Sequence, residues 1–347
     1  MMTIPAITGW DIGGAHLKVA QCNPEGRLIM VKQYLCPLWQ GIAKLTVAIQ
    51  QALTDLPNIS PHHVITMTGE LADIFSSRQN GVEAIITCIT AFIPEAHCHI
   101  YAGSTHWLTP QQAITRWSEV ASRNWEASAT FAAQHIPEGL FVDVGSTTSD
   151  IIALVDHSTR PQAYTDFERQ ACHELHYFGA IRTPLIALAQ TVPFQQRPHP
   201  IANELFATTG DCWVLLKQLP RNTIQDDSAD GLGWDEQYCY QRLARLLGTD
   251  AVHYPAEVWL ELANWFAKKQ SEQLQFACHQ VLNASPCLEP DAPLVGAGIG
   301  RFIIQRCAQA MQRPYIDMGE LFHHSSDLGA DHAPAAALVL LAHHQLA

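Results

Sequence analysis

The sequence predicts an α/β protein with two lobes around a cleft. The first observation is a strand, turn and strand pattern from Ile7 to Leu35, interrupted by the turn Asn-Pro-Glu-Gly. The second is the segment LFVDVGSTTSDIIALVD, which repeats this pattern and places Asp143 132 residues after Asp11. The third is the late segment APLVGAGIGRFII, in which an apolar strand, a glycine-rich turn and the start of a helix follow one another.

The composition is that of a folded protein of enzyme size. Of 347 residues, 48% are hydrophobic and 15% are charged. Twenty basic against 33 acidic side chains give a net charge of −13, so we expect no nucleic acid partner. The first residues lack a secretion-signal pattern and no apolar run reaches membrane-helix length, so we expect a cytoplasmic protein without a membrane partner. Its ten scattered cysteines are expected to be mostly buried thiols.

The first lobe is predicted to span residues 1–138. After the opening hairpin, a helix is expected near 41–53, and the apolar run HVITMTGE predicts a buried strand that ends at Gly69 and Glu70. LADIFSSR is predicted to be helical and HIYAGSTHWLT to be a strand. Residues 110–136 have helix formers at helical spacing and predict one long helix that closes this lobe.

The second lobe is predicted to span residues 139–347 and to begin with the repeated hairpin. A mainly helical insertion is expected at about 184–285, interrupted by an acidic, turn-rich loop. The late strand and glycine-rich turn follow, and HAPAAALVLLAHHQLA predicts a final helix. Because no low-complexity linker separates the lobes, we expect a cleft between tightly coupled domains.

The first hairpin contains the ingredients of a phosphate site. Proteins hold phosphate with backbone N–H groups in tight glycine turns, with a nearby lysine, and with a divalent ion bound by carboxylates. Asp11 could hold the ion, Gly13 and Gly14 allow close backbone approach, and Lys18 supplies charge. Taken alone, the pattern also fits a hairpin whose glycines only permit close packing.

The second hairpin favours the phosphate site. Its glycine turn is followed by hydroxyl groups, which are good phosphate donors, and two acids that can hold a metal flank the turn. The candidate residues are Asp143, Gly145, Ser146, Thr147, Thr148 and Asp150. If the two hairpins face each other, Asp11 and Asp143 lie across one cleft and are the predicted metal ligands.

Two further segments could complete the site. The turn at Gly296, Gly298 and Gly300 precedes a helix, as expected where a helix N-terminus binds a diphosphate or nucleotide. Arg182 could bind phosphate oxygens bidentately, although a surface arginine before a proline-started helix is an equal alternative.

The motifs Asp-x-Gly, Asp-x-Gly-x-Thr-Thr and a late Gly-x-Gly resemble the superfamily of acetate kinase, sugar kinases, Hsp70 and actin, and within it the hydantoinase/oxoprolinase branch. This resemblance implies two RNase-H-like lobes around a phosphate-binding cleft. The segments ITMTGELADIF, RNWEASA, ELHYFGAIRTPL, NELFATTGD and SADG are similar to a small family linked to tetrahydromethanopterin-dependent one-carbon metabolism. Archaeal members of that family act as synthases in methanofuran biosynthesis.

This resemblance implies an aryl-ether-forming transferase. The phenol oxygen of γ-glutamyltyramine, or of a tyrosine-derived relative, would displace diphosphate from an aminomethylfuran-methyl diphosphate. The expected partners are these small molecules, with Mg²⁺ or another divalent cation as cofactor and a homodimer left open. In a bacterium the corresponding product would be methylofuran.

The proposed reaction needs a group that accepts the phenol proton, because a phenol has a pKa of about 10. Glu70 and Asp150 are the first candidates, with His16 and His176 behind them, and the sequence does not distinguish among these four. Asn124 and Trp125 lie on the predicted long helix, where a packed core aromatic is the expected reading. The acidic run from Asp226 to Gly231 could reach a metal or an amine, but such runs are more often solvated turns.

Two other classes of protein share the same sequence features. The first is an ATP-dependent kinase or hydantoinase-type ATPase that uses the same cleft, with ATP as its cofactor. The second is a non-catalytic, nucleotide-binding regulator. Binding of diphosphate without adenine preference, turnover of ATP, and binding without turnover distinguish the three.

Overall fold

The computed structural model describes residues 6–58, 60–104, 106–219, 224–225, 227–322 and 328–346. Its strands are β1 Ile7–Ile12, β2 His16–Cys22, β3 Leu28–Leu35, β4 His62–Met67, β5 Cys98–Tyr101, β6 Trp107–Leu108, β7 Glu138–Val144, β8 Ser149–Val155, β9 Ser158–Thr159, β10 Leu175–His176, β11 Thr191–Phe194, β12 Arg197–Pro200, β13 Leu294–Ala297 and β14 Tyr315–Asp317. Its helices are α1 Ala43–Asp55, α2 Arg78–Thr90, α3 Pro110–Thr115, α4 Trp117–Val120, α5 Asn124–His135, α6 Asp166–Ala171, α7 Thr209–Leu215, α8 Glu236–Leu246, α9 Ala256–Ala284, α10 Arg301–Ala310, α11 Met318–Leu321, α12 Leu328–Asp331 and α13 Ala333–Leu346.

The first sheet has the strand order β3-β2-β1-β4-β5-β6. Strands β1, β2 and β3 are antiparallel, whereas β4 runs parallel to β1 and β5 runs parallel to β4. All six residues of β1 are buried, including the polar Thr8 and Asp11, because helices cover both faces of the sheet. In the β1–β2 hairpin, Asp11 lies directly opposite Lys18.

The second sheet repeats this topology with the order β10-β8-β7-β13-β14. Strands β7 and β8 are antiparallel, and β13 and β14 continue the sheet in parallel with β7. In the β7–β8 hairpin, Asp143 lies directly opposite Asp150, as Asp11 lies opposite Lys18 in the first hairpin. The structure confirms the predicted duplication and the two-lobed, RNase-H-like α/β fold.

The last helix, α13, packs against the first lobe, although it follows the strands of the second lobe in the chain. Helix α13 packs against β1, β2, β4 and α5, and its residues Ala333–Ala342 are buried in the same apolar cluster as Ile7, Ala20 and Val64. Residues 333–346 were predicted as part of the second lobe, and the structure instead places them on the first sheet. Their composition is apolar on nearly all sides, which suits a helix buried between a sheet and another helix.

The insertion between β10 and β13 is mainly helical, as predicted, but it also contains the β11–β12 hairpin. Its helix α9 has 29 residues and belongs to two cores. Trp259 and Phe266 pack with α7 and α8, whereas Leu274 and Val281 pack under the second sheet. The second half of α9 is therefore a crossover helix of the second lobe rather than part of an added subdomain.

Two helix predictions in the first lobe were wrong. Residues 110–136 form three short helices, because Arg116 leaves the helical region and Ser122 has a left-handed φ of +53°. LADIFSSR forms a turn, and α2 begins only at Arg78, where the Ser77 hydroxyl caps the helix by accepting the Asn80 N–H. Apolar spacing alone did not reveal these chain reversals.

The cysteines of the described residues are free thiols, and Cys287 is the one that is exposed. No helix in the described ranges is long and apolar enough to cross a membrane.

We expect acid to destabilise the first lobe through His63. Its ring is buried and accepts the Trp10 indole N–H at 3.1 Å, and burial lowers its pKa to about 4. Between that value and the pKa of about 6.5 in an unfolded chain, the unfolded state binds more protons, so the free energy of unfolding should fall by about 2 kcal/mol from pH 7 to pH 5. In H63N the amide oxygen can still accept the indole N–H, and urea unfolding at both pH values should show a smaller decrease. An equal decrease in the two proteins would contradict this assignment.

Candidate functional site

A cleft of about 460 Å³ lies between the turns of the two duplicated hairpins. Residues from both lobes line it, so it is the cleft that the sequence predicts. Its lining comprises Gly13, Gly14, Ala15, His16, Lys18, Trp39, Thr68, Leu71, Ala72, Asp73, Ser122, Asn124, Trp125, Gly145, Ser146, Thr147, Thr148, Asp150, Asp166, Arg169, Leu175, Tyr177 and Arg182.

The first hairpin contributes a tight turn and the positively charged side chain of Lys18. The turn is closed by a hydrogen bond from Gly13 N–H to the His16 carbonyl at 2.9 Å, which brings Gly13 and Gly14 to the cleft surface. Lys18 Nζ lies 3.4 Å from Asp11 Oδ2, and the Asn124 amide lies 3.5 Å from Asp11 Oδ1. The buried Asp11 therefore orients the lysine, whose side chain is about a quarter exposed to the cleft.

The second hairpin contributes the hydroxyl-rich turn. Gly145 N–H donates to the Thr148 carbonyl, and the Ser146 carbonyl accepts the N–H groups of Ile181 and Arg182. Within the described residues, the N–H groups of Ser146 and Thr147 have no protein acceptor. These groups can bind an anion, because an anion would satisfy donors that the fold leaves open.

Asp143 is a buried carboxylate among other charges. The pKa of Asp143 is raised to about 7, with burial as the largest cause and the nearby Asp150 and Asp11 adding to the shift. The positive charges of Lys18 and Arg301 act in the opposite direction. Oxygen ligands of this kind suit a hard divalent cation, which would relieve the repulsion among the carboxylates. Among the described residues, no group of three or more His, Cys, Asp or Glu side chains is arranged to hold a metal. A cation here would therefore need oxygen atoms from a substrate or water in addition to Asp11 and Asp143.

The late glycine-rich turn supports the second hairpin rather than lining the cleft. Gly298 N–H donates to the Ala330 carbonyl and Gly300 N–H donates to the Val144 carbonyl, so neither is available to a diphosphate. Gly298 has a φ of +83°, and a Cβ at this position would lie 2.2 Å from Asp143 Oδ1. The turn, including Gly296 beside Tyr315, thus packs behind Asp143, which corrects its predicted role as a direct ligand.

The four candidate proton acceptors lie in different surroundings. Asp150 lines the cleft and forms an ion pair with Arg169 at 2.9 Å, and burial raises its pKa. His16 is buried and also lines the cleft. Glu70 is buried just behind the lining, where its carboxylate contacts Ser122. His176 instead lines a separate cavity with Phe178 and Phe276, so the structure does not bring this candidate to the cleft.

Arg182 reaches the cleft from the second lobe. Its guanidinium lies 5.5 Å from the centre of the Trp39 ring, which belongs to the first lobe, so the contact crosses the cleft. Thr183, next along the chain, is buried and accepts the Gly179 N–H at 2.8 Å, which holds the backbone of this segment. Trp125 is packed as predicted, with the Arg169 guanidinium 3.9 Å above its ring, and it also forms part of the lining.

The lining residues that the sequence did not single out include four with polar or aromatic side chains suited to a substrate, namely Trp39, Ser122, Asp166 and Tyr177. Tyr177 and Arg182 both lie within the segment ELHYFGAIRTPL, so that segment could have indicated Tyr177 as well. The other three carry no pattern that marks them. In the acidic loop, Asp226 lies outside the described residues, and Asp230 pairs with Arg242 at 2.8 Å within the insertion rather than at the cleft.

Duplicated hairpins around one cleft define the class of two-lobed, RNase-H-like proteins to which actin, Hsp70 and the sugar kinases belong. The hydantoinase/oxoprolinase family model matches residues 62–336, and the chain belongs to this family. Among solved structures, a nucleotide-free acetone carboxylase shares the fold with a TM-score of 0.59 at 9% identity, covering 97% of this chain and 70% of the other.

Two relatives carry the name of the same enzyme. The chain is 30% identical over 272 residues to the (4-{4-[2-(γ-L-glutamylamino)ethyl]phenoxymethyl}furan-2-yl)methanamine synthase of Methanocaldococcus jannaschii. The matched residues cover 78% of this chain and 79% of that protein. The synthase of the same name from Methanococcus vannielii is 33% identical over 136 residues, or 39% of this chain and 61% of that protein. The names of these relatives indicate that this chain is also an enzyme.

Proposed function

We propose that the protein is a transferase of methanofuran or methylofuran biosynthesis. It joins the phenol oxygen of γ-glutamyltyramine, or of a tyrosine-derived relative, to an aminomethylfuran-methyl diphosphate and releases diphosphate. The product class follows the name of the relatives, which describes a phenoxymethyl group joined to a furan.

The arrangement of the cleft carries this proposal. The two hairpin turns, Lys18 and Arg182 together form a region suited to a diphosphate. The same cleft contains Trp39, Trp125 and Tyr177, whose rings suit aromatic substrates, beside hydroxyl and carboxylate groups that suit a phenol. A diphosphate region and an aromatic hydroxyl region in one cleft are what this condensation needs.

The residues divide the chemistry between them. A furfuryl-type carbon can delocalise positive charge into its ring, so the main demand on the protein is to stabilise the departing diphosphate. Lys18, Arg182 and the N–H groups of Ser146 and Thr147 bind its oxygens. Asp11 and Asp143 would hold Mg²⁺ or another divalent cation, which when bound supplies positive charge to those oxygens.

Purified protein incubated with γ-glutamyltyramine, the furan diphosphate and Mg²⁺ is expected to release diphosphate and yield the aryl ether in equal amounts. Mass spectrometry of the ether and an assay of free diphosphate measure both products. Release of phosphate from ATP with no ether from these substrates would overturn the proposal in favour of the ATPase alternative. Binding of nucleotide without turnover of either substrate set would favour a regulator.

Lys18 should contribute strongly to diphosphate binding. Removal of its charge in K18A is expected to weaken the binding of inorganic diphosphate with Mg²⁺ by about 10- to 100-fold, because a charge-assisted hydrogen bond is lost. Isothermal titration calorimetry measures the affinity. K32A is the matched control, since Lys32 lies on β3 of the same sheet and pairs with Asp55 instead of lining the cleft. Equal affinities for K18A and K32A would remove Lys18 from the site.

A further inference from the structure

Ser122 lies where two carboxylates and the cleft meet. Its hydroxyl oxygen is 2.8 Å from Glu70 Oε1 and 3.1 Å from Asp166 Oδ2, and it accepts a hydrogen bond from Arg78 Nη2 at 2.8 Å. Ser122 and Asp166 line the cleft, whereas Glu70 does not. The Ser122 hydroxyl therefore connects the buried carboxylate of Glu70 to the cleft, where a substrate would bind.

The backbone of Ser122 has an unusual conformation. Its φ of +53° lies in the left-handed region, which is unfavourable for a residue with a Cβ. This position separates α4 from α5, where glycine would relieve the strain. The turn alone would favour glycine at this position. The serine instead supplies a hydroxyl group with three polar neighbours, Glu70, Arg78 and Asp166.

Glu70 is poised to accept a proton. It is almost fully buried, Oε1 carries its hydrogen bonds to Ser122 and Arg78, and Oε2 has no partner in the described part of the chain. Burial raises its pKa, although Ser122 and Arg78 oppose the shift. A carboxylate with a raised pKa is a stronger base, provided that it remains ionised at the working pH.

The charged and titratable groups around this carboxylate come from three elements. Arg78 belongs to α2, Asp166 belongs to α6, and the Tyr177 phenol follows β10 and interacts electrostatically with Glu70, Asp166 and Arg78. Arg78 lies 3.9 Å from Asp166 and 3.1 Å from Glu70, so it balances the two acids.

We propose that Ser122 and Glu70 form the route by which the phenol loses its proton. This inference rests on the proposed function. As the phenol oxygen bonds to the furfuryl carbon, its O–H bond breaks and the proton passes to Ser122 Oγ, while the Ser122 hydroxyl proton passes to Glu70 Oε1. The carbon–oxygen bond to diphosphate breaks, and its electron pair leaves with the diphosphate. Asp166 and Arg78 orient the serine hydroxyl.

Phenol acidity tests this route. With the parent phenol, E70Q and S122G are expected to lower kcat by about 10²-fold or more, because general base catalysis is lost. Ring-fluorinated analogues, which ionise more readily, should recover most of the rate in both variants. In E70Q the rate should no longer follow the ionisation of Glu70, and it should instead rise with pH as the substrate phenol ionises. K18A, which affects the leaving group, should be impaired equally with every phenol.

S104G is the matched control for S122G. Ser104 also has a left-handed φ of +42°, and its hydroxyl bonds to the buried carboxylate of Glu126, but it lies outside the cleft lining. S104G should retain the wild-type rate. The serine variant S122G accommodates the left-handed backbone, so it tests the route even if E70Q folds poorly.

Losses in E70Q and S122G that are the same for all phenols, or wild-type rates in both, would overturn the route and leave the proposed function intact. If the wild-type protein forms no ether with any of the phenols, both the proton route and the proposed function are overturned.

Discussion

D143N is expected to lose at least about 10³-fold in kcat, because one of the two carboxylates that would hold the divalent cation is removed from the developing charge on the diphosphate. D11N should lose a similar amount, since it also removes the partner of Lys18 at 3.4 Å. The rate of ether formation at saturating substrates measures both effects.

D143N should fold as well as the wild-type protein. Burial and the neighbouring acids Asp150 and Asp11 disfavour the ionised form of Asp143, so a neutral amide of nearly the same shape removes a repulsion. The midpoint of thermal unfolding is expected to be equal or higher. A D143N or D11N protein with near wild-type activity would show that these carboxylates do not hold a catalytic cation.

G179A is expected to disrupt the second phosphate turn from behind. A Cβ at Gly179 would lie 2.5 Å from the Ser146 carbonyl carbon and 2.5 Å from the Thr147 nitrogen, so the turn must move away. The Gly179 carbonyl also accepts hydrogen bonds from Gln270 at 2.7 Å and Thr209 at 2.9 Å, which ties the turn to α9 and α7. We expect a loss of about 1–3 kcal/mol in the free energy of unfolding.

The same variant should bind diphosphate with Mg²⁺ more weakly by at least about 10-fold, since the displaced turn carries hydrogen-bond donors to the anion. Calorimetry and urea unfolding measure the two effects. G14A offers a contrast in stability, because a Cβ there would meet no atom within 4 Å. Equal unfolding free energies for G179A and G14A would mean that the packing around Gly179 relaxes without cost.

The two hairpins could be predicted because local sequence determines them. An apolar strand, an acid, a glycine turn and a second strand predict the two hairpins, and the structure adds the register, in which Asp11 lies opposite Lys18 and Asp143 lies opposite Asp150. The duplication then indicated that the two turns face one cleft. Their roles in binding phosphate or metal remain predictions.

Other parts of the site depend on contacts between distant segments. Asp166 of α6 and Ser122 approach each other across 44 residues, and neither belongs to a motif. The Gly298 turn has the sequence pattern of an anion site, but Ala330 and Val144 accept its N–H groups. Sequence pattern identifies donors that could be free, whereas only the packed structure shows which of them are used.

The position of α13 also determines the order in which the protein can fold. The strands of the first sheet are synthesised before α13, and one face of the sheet is covered by residues 333–342, which leave the ribosome about 270 residues after strand β4. We therefore expect Ile7, Ala20 and Val64 to stay exposed to water or to a chaperone until α13 has been synthesised. The lobe that is translated first is completed last, and a nascent chain that stops before α13 carries an open apolar face.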